Sequence, residues 1–287
     1  MSKKFGDRKD AKLIRNIDSM HFIMAQIYPN RADNEAFVSE RIDLTNTEKY
    51  LAKLNEQNPE YKYNLFQLIV TAMLKTIILR PKMNRFIANK NFYQRNDVSA
   101  SFIIKKIFAD NSEEGMACIR AKSEDTFFTI HDDIYRQVSA CRNEKKGSTD
   151  ESMDLFNKLP HFISKTAISF VRFLDRHGKV PQSLIDTDPF YCSVVLSNLG
   201  SIKLQSGYHH LTNWGTTSLF CIVGEKKMRP VFDEKGNYEM KMTVDLGLTV
   251  DERIADGYYY SKTVKILKHL LENPELLEQP LGNEVEI

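Results

Sequence analysis

Apolar positions along this chain repeat with two different periods, and the period predicts the element. Residues 64–79 (NLFQLIVTAMLKTIIL) are densely apolar and free of Gly and Pro, with Asn64 placed as an N-cap and Pro81 just past the end. They predict a mostly buried helix. Residues 126–142 carry apolar side chains at helical spacing, and residues 150–175 do so with a break expected near Pro160. In the second half the period drops to two. Met240, Met242, Val244, Leu246, Leu248 and Val250 alternate with Lys241, Thr243, Asp245, Gly247 and Thr249, which predicts a half-buried strand. Further strands are expected at 98–108 (VSASFIIKKIF), 191–196 (YCSVVL) and 218–223 (SLFCIV), the last two set among Gly200, Gly215 and Gly224. A final amphipathic helix at 258–273 follows Asp256 and Gly257 and stops before Pro274. Polar runs at 30–34, 55–61, 110–115 and 143–151 read as loops. Consecutive strands joined by short turns favour a mixed or antiparallel sheet in an α/β protein over a regular βαβ array.

Composition narrows the class without naming it. The chain has 287 residues, enough for one or two domains, and 42% apolar against 27% charged residues supports a full core. The 40 basic and 38 acidic residues leave +2, so nothing calls for a nucleic-acid partner. The first twelve residues are charged, so no export signal is expected there. The apolar region 156–174 is interrupted by Lys158, His161, Lys165 and Arg172, so no membrane span is expected either. Cys118, Cys141, Cys192 and Cys221 lie far apart with no C-x-x-C pair; buried free thiols in a reducing cytoplasm are the simplest reading. Seven histidines show no metal-ligand spacing, and no metal is expected. Dinucleotide, phosphate-loop, nucleophile-elbow and zinc-helix motifs are all missing.

One segment is more specific. Residues 248–260 (LTVDERIADGYYY) form a strand, a D-E-R-x-x-D-G loop and the start of a helix. This resembles the catalytic core of the dihydrolipoyl acyltransferases of 2-oxoacid dehydrogenase complexes and the related chloramphenicol acetyltransferases. There a strand is followed by D-H-R-x-x-D-G or H-H-x-x-x-D-G and then a helix. Asp251, Arg253, Asp256 and Gly257 match the acyltransferase form. Residues 194–200 (VVLSNLG) resemble the family's S-N-L-G strand and turn and are followed by 219–230 (LFCIVGEKKMRP). The 64–79 helix running into Arg80-Pro81-x-x-Asn84 is similar to its helix and Pro-x-x-Asn turn. The resemblance spans roughly residues 15–275, leaving 1–14 as an N-terminal extension and 276–287 as a tail. The region 143–188 is longer than the family usual, and no lipoyl domain stands in the chain.

The resemblance implies a two-layer α/β sandwich of chloramphenicol acetyltransferase type with a mixed sheet. It implies a homotrimer with active sites between subunits, acting on a coenzyme A thioester and a small-molecule acceptor. The family's motif histidine takes a proton from a thiol, and here Glu252 holds that position. A carboxylate near pKa ~4.3 suits a thiol near ~8.5 less well than imidazole near ~6.5, unless burial raises it. Glu252 is therefore either the base or a paired carboxylate, for instance with Arg253 of a neighbouring chain. In the latter case the chain is a catalytically silent trimeric scaffold or ligand-binding protein. Ser197 matches the serine that donates to the oxyanion. Alternatively Ser197, Asn198 and the following residues only make a turn, with Gly200 supplying a positive φ. By resemblance Asp256 forms an ion pair that holds the loop, and Gly257 lets the chain turn into the helix. His209 and His210, in the loop 206–215, are the alternative bases. The stripe Phe156, Leu159, Phe162, Ile163, Ala167, Phe170, Val171 and Leu174 is expected in the core or in trimer packing.

Overall fold

The computed structural model describes residues 4–105, 114–143 and 160–286. Its elements are β1 (Ala11–Leu13), α1 (Ser19–Ile27), β2 (Glu35–Asp43), α2 (Thr45–Asn55), α3 (Leu65–Leu79), β3 (Arg85–Ala88), β4 (Asn91–Arg95), β5 (Val98–Lys105) and β6 (Glu114–Ala121). After these come α4 (Phe127–Asn143), α5 (His161–Arg176), α6 (Gln182–Thr187), β7 (Val194–Asn198), β8 (Leu219–Val223), β9 (Lys227–Phe232), β10 (Tyr238–Asp251) and α7 (Gly257–Glu272).

Local signals place the main helices where the pattern predicts them. Asn64 caps α3 in a reciprocal box: its side chain accepts from the Gln67 N–H while the Gln67 side chain accepts from the Asn64 N–H. Eleven of the fifteen α3 residues are buried, because the helix lies on the main sheet with α4 and α7 flanking it. Asp256 caps α7 through the Tyr259 N–H at 2.8 Å.

The main sheet runs β2-β10-β8-β7-β5-β6, with β9 pairing the early part of β10. It is mixed, since β7 is parallel to β5 and β8 while the other pairs are antiparallel. A smaller antiparallel sheet has the order β1-β4-β3. Helices α3, α4 and α7 bury one face of the main sheet, where Val194, Leu196, Val244, Leu246, Leu248 and Val250 join the large core. The opposite face carries a small cluster of Val195, Phe220 and Ile222 under Leu211. The architecture is therefore the expected mixed α/β fold with one helical layer on one sheet.

Several expectations change in detail. The connection between β7 and β8 is no short turn, because parallel neighbours need a crossover, and here residues 199–218 cross the open face. A side chain at Gly247 would put its Cβ 1.9 Å from the Gly207 carbonyl, so this crossover lies directly on β10. For the same reason β10 is buried on both faces from Leu246 onward: Gly247, Thr249 and Asp251 are covered as well as the alternate apolar positions. Tyr191 belongs to a turn (Pro189–Tyr191), and the strand begins at Val194. Residues 30–34 are not a simple loop, since they hold a 3-10 turn with Arg31 buried. Of the expected apolar stripe, Phe162, Ile163 and Phe170 on α5 are exposed, and Leu174 is half-buried against the Val180 cluster. Phe156 and Leu159 lie outside the described residues, as do 106–108, 110–113 and 144–151. Residues beyond the expected boundaries at 15 and 275 pack on the rest of the chain: β1 pairs with β4, Arg8 is buried against Asp175, and Leu277 and Leu281 sit in the core.

Candidate functional site

The loop after β10 is held by a buried ion pair. Arg253 reaches back to Asp251 with Nε–Oδ1 and Nη2–Oδ2 distances of 2.7 Å, and both residues are fully buried. This bidentate fork closes a tight turn, because the Arg253 N–H also donates to Asp251 Oδ1 at 3.3 Å. The third guanidinium nitrogen donates to the Tyr28 carbonyl at 2.7 Å, tying the loop to the end of α1. The Tyr260 O–H donates to the Asp251 carbonyl and the Glu252 N–H to the Asn34 carbonyl. Ile254 and Ala255 pack on Ala25, Ile87 and Phe92, so the small sheet and α1 support the loop from below. A second guanidinium, Arg31, stands with Nε 3.8 Å from Asp251 Oδ2; burial pulls its pKa down, and Asp251 only partly opposes this.

Within residues 251–255 only Glu252 is exposed. Its carboxylate makes no hydrogen bond or ion pair among the described residues. Arg253, buried and committed to Asp251 of its own chain, is in no position to pair with Glu252 of a neighbour. The ion pair that holds the loop is thus Asp251–Arg253. Asp256 is instead an exposed helix cap with Lys82 Nζ at 4.0 Å, its carboxyl lowered first by the Tyr259 N–H. Gly257 has an ordinary negative-side φ and open space around its Cβ position, so the turn into α7 does not require glycine in the single chain.

Ser197 lies elsewhere on the same chain. It is in register with Ile222, and Ile222 with Gly247. Glu252 is five positions beyond Gly247, so at about 3.3 Å per residue and about 4.8 Å per strand the two side chains are roughly 16 Å apart along the sheet and two strands apart across it. They do not meet within one chain. Strand alternation turns Ser197 to the open face with Val195, and its hydroxyl has no partner among the described residues. Asn198, on the helical side, caps the turn Leu199–Ile202 by accepting the Ser201 N–H. Gly200 does not have a positive φ; Lys203 does, at 59°. Glycine is required at 200 because a Cβ would come within 2.5 Å of the Gly224 carbonyl. Beside this turn a groove of about 810 Å³ opens over Leu44, Leu51, Tyr63 and Phe66, with Asn198 and Gly200 on its wall.

His209 and His210 lie at the Glu252 end of the open face. His209 stacks on Phe220 at 4.2 Å, and Phe220 faces Thr249 of β10. Its Nδ1 is 2.7 Å from the His210 carbonyl, an acceptor only, so Nδ1 is the donor of that bond, and Nε2 makes no hydrogen bond among the described residues. The next residue but one, Leu211, donates its N–H to Glu35, the register partner of Asp251. Sequence reasoning did not find Arg31, whose Nη1 donates to the Thr212 carbonyl and so links the histidine loop to the motif loop. Among the described residues no group of three His, Cys, Asp or Glu side chains is placed to hold a metal ion, and no helix is long and apolar enough to cross a membrane.

This layered sheet with its locked loop after the long strand is the chloramphenicol acetyltransferase-like acyltransferase fold. Residues 192–278, which include both the serine turn and the locked loop, match the 2-oxoacid dehydrogenases acyltransferase (catalytic domain) family. The structure is similar to a probable dihydrolipoamide acetyltransferase from Listeria monocytogenes 4b F2365, with a TM-score of 0.60 at 16% identity, over 91% of this chain and 95% of that one. It is also similar to the Azotobacter vinelandii dihydrolipoamide acetyltransferase, with a TM-score of 0.61 at 14% identity over 92% and 93% of the two chains. A chloramphenicol acetyltransferase aligns with a TM-score of 0.58 at 11% identity, over 91% and 99%. No curated protein matches the sequence. The family match thus covers the 194–200 and 248–260 motif blocks, and the likeness to the solved structures extends the fold over the rest of the chain.

Proposed function

We propose that this chain moves an acyl group between a thioester, that of coenzyme A, and a small-molecule acceptor, at sites formed between the subunits of a homotrimer. Glu252 is the base and Ser197 the oxyanion donor. The observation that carries this reading is the exposure of Glu252 alone from a loop whose other side chains are buried and tied down. Such an arrangement fixes the backbone at 252 and aims one carboxylate outward. Ser197 also faces outward, on the open side of the sheet, with an unused hydroxyl. Since the two are too far apart in one chain, a shared centre requires a second copy.

In that centre the Glu252 carboxylate accepts the proton of a thiol. The thiolate attacks the acyl carbonyl, and the Ser197 hydroxyl donates to the oxygen on which charge develops. Collapse of the tetrahedral adduct expels the original acyl carrier. The groove beside Asn198 is of the size that takes a small ligand.

Sedimentation velocity at micromolar concentration is expected to give a trimer, and calorimetry to show coenzyme A binding below millimolar concentration. Ser197→Ala should lower turnover of thioesters by about 100-fold with assembly unchanged. A monomer, or no binding at millimolar coenzyme A, overturns the proposal. A trimer inactive on a thioester panel that gains turnover only with Glu252→His supports the silent scaffold.

A further inference from the structure

Two of the four cysteines, 74 positions apart in sequence, meet on the open face of the sheet. Cys118 alternates with the core residues Ala117 and Ile119 on β6, so its side chain turns away from the helices. Cys192 lies just before β7, and the two Sγ atoms are 3.0 Å apart. Both backbones are fixed. Gln137 of α4 clamps Cys118 twice, accepting its N–H at 2.9 Å and donating to its carbonyl at 3.0 Å. The Cys192 N–H donates to the Pro189 carbonyl, and its own carbonyl accepts from the Thr217 hydroxyl. Next to it, Ser193 and Ser99 exchange hydrogen bonds that hold the segment on β5.

We propose that Cys118 and Cys192 form a reversible dithiol–disulfide site that is oxidised by hydroperoxides. A disulfide needs about 2.05 Å between sulfurs, so closure brings the two Sγ atoms roughly 1 Å nearer than they stand. The two thiols differ in the way a reactive and a resolving cysteine must. Hydrogen bonding from Cys118 lowers the Cys192 thiol below its ordinary range against the effect of burial, with Ser99, Ser101 and the Arg95 guanidinium adding to it. The same contact, with burial, pushes Cys118 up. Cys192 is buried and Cys118 half-buried, so the pair opens to solvent on the Cys118 side.

The chemistry balances with one peroxide. The Cys192 thiolate attacks a peroxide oxygen, the O–O bond breaks, and the leaving hydroxide takes up a proton to become water. The Cys118 sulfur then attacks the sulfenic acid on Cys192, the S–O bond breaks, and a second water leaves with the Cys118 proton. Two thiols are oxidised by two electrons and the peroxide is reduced to two waters. The product ties the edge strand β6 to the segment leading into β7, the strand that carries Ser197.

The test is peptide mapping of the full chain after treatment with equimolar hydrogen peroxide, without reductant. The expected result is a 118–192 linked peptide pair in most of the protein, lost again on adding dithiothreitol. Cys118→Ser should leave Cys192 as a sulfenic acid, trapped by dimedone at least ~10-fold more than in the wild type. Peroxide that oxidises Cys141 while the 118 and 192 peptides stay unlinked overturns the proposal, as does a disulfide joining different chains through these residues. The wild-type map stands by itself even if a variant folds poorly.

Discussion

Asp251→Ala is expected to destabilise the fold by about 3–5 kcal/mol, because it leaves the Arg253 guanidinium fully buried without its carboxylate. Arg31, also buried beside Asp251, loses its nearest anion in the same step. The loss should appear as a large drop in the urea midpoint with an unchanged slope. Asp256→Ala is the control. It removes only an exposed cap, so about 1 kcal/mol is expected. A comparable loss from both substitutions would show that the loop is held at its helix end and not by the buried fork. Replacing Asp251 and Arg253 together with apolar residues of similar volume should recover only part of the stability, since the desolvation cost of both charges disappears while Arg31 still lacks its nearest anion.

Glu252→Gln is expected to reduce thioester turnover by at least ~100-fold while leaving folding and assembly intact. The stability half of this prediction follows from the single chain. The carboxylate has no partner among the described residues, and its backbone N–H stays bonded to the Asn34 carbonyl whatever the side chain. The activity half follows from the proposed role, because Gln keeps the shape but cannot accept a proton. Steady-state kinetics and sedimentation on one preparation measure both. Activity retained in Glu252→Gln and abolished in His209→Ala would move the base to His209, whose Nδ1 is engaged with the His210 carbonyl and whose Nε2 is not.

How much of this was legible in the sequence depended on the range of the interaction concerned. Helix α3 was legible because its cap, its stop and its dense apolar run all lie within the segment. Strand β10 was legible because its alternation is long. Strand β2 (EAFVSERID) was not, since it is an edge strand whose outward positions hold Phe37, Ser39 and Arg41 and whose pattern is only partly apolar. Helix α2 (TNTEKYLAKLN) shows the same weakness: one buried residue, Thr47, and little apolar signal. The small sheet β1-β4-β3 joins strands of three to five residues, too short to show a period. At the site, the motif gave the position of the loop but not its mechanics. That Arg253 folds back onto Asp251 depends on the turn between them, and that Arg31 joins them depends on packing between distant parts of the chain. The Cys118–Cys192 contact is of the same kind, for it arises only when β6 and β7 are laid on either side of β5.

The division of labour around residue 252 makes that position a socket. Everything that shapes the loop is carried by the residues on either side, which point inward, and the backbone at 252 is secured through its own N–H. The side chain plugged in there can change its proton affinity, charge or length without any of those bonds being remade. A lineage can thus exchange the reactive group at this place in a single substitution and keep the same scaffold, so that chemistry at 252 and stability of the loop are inherited separately.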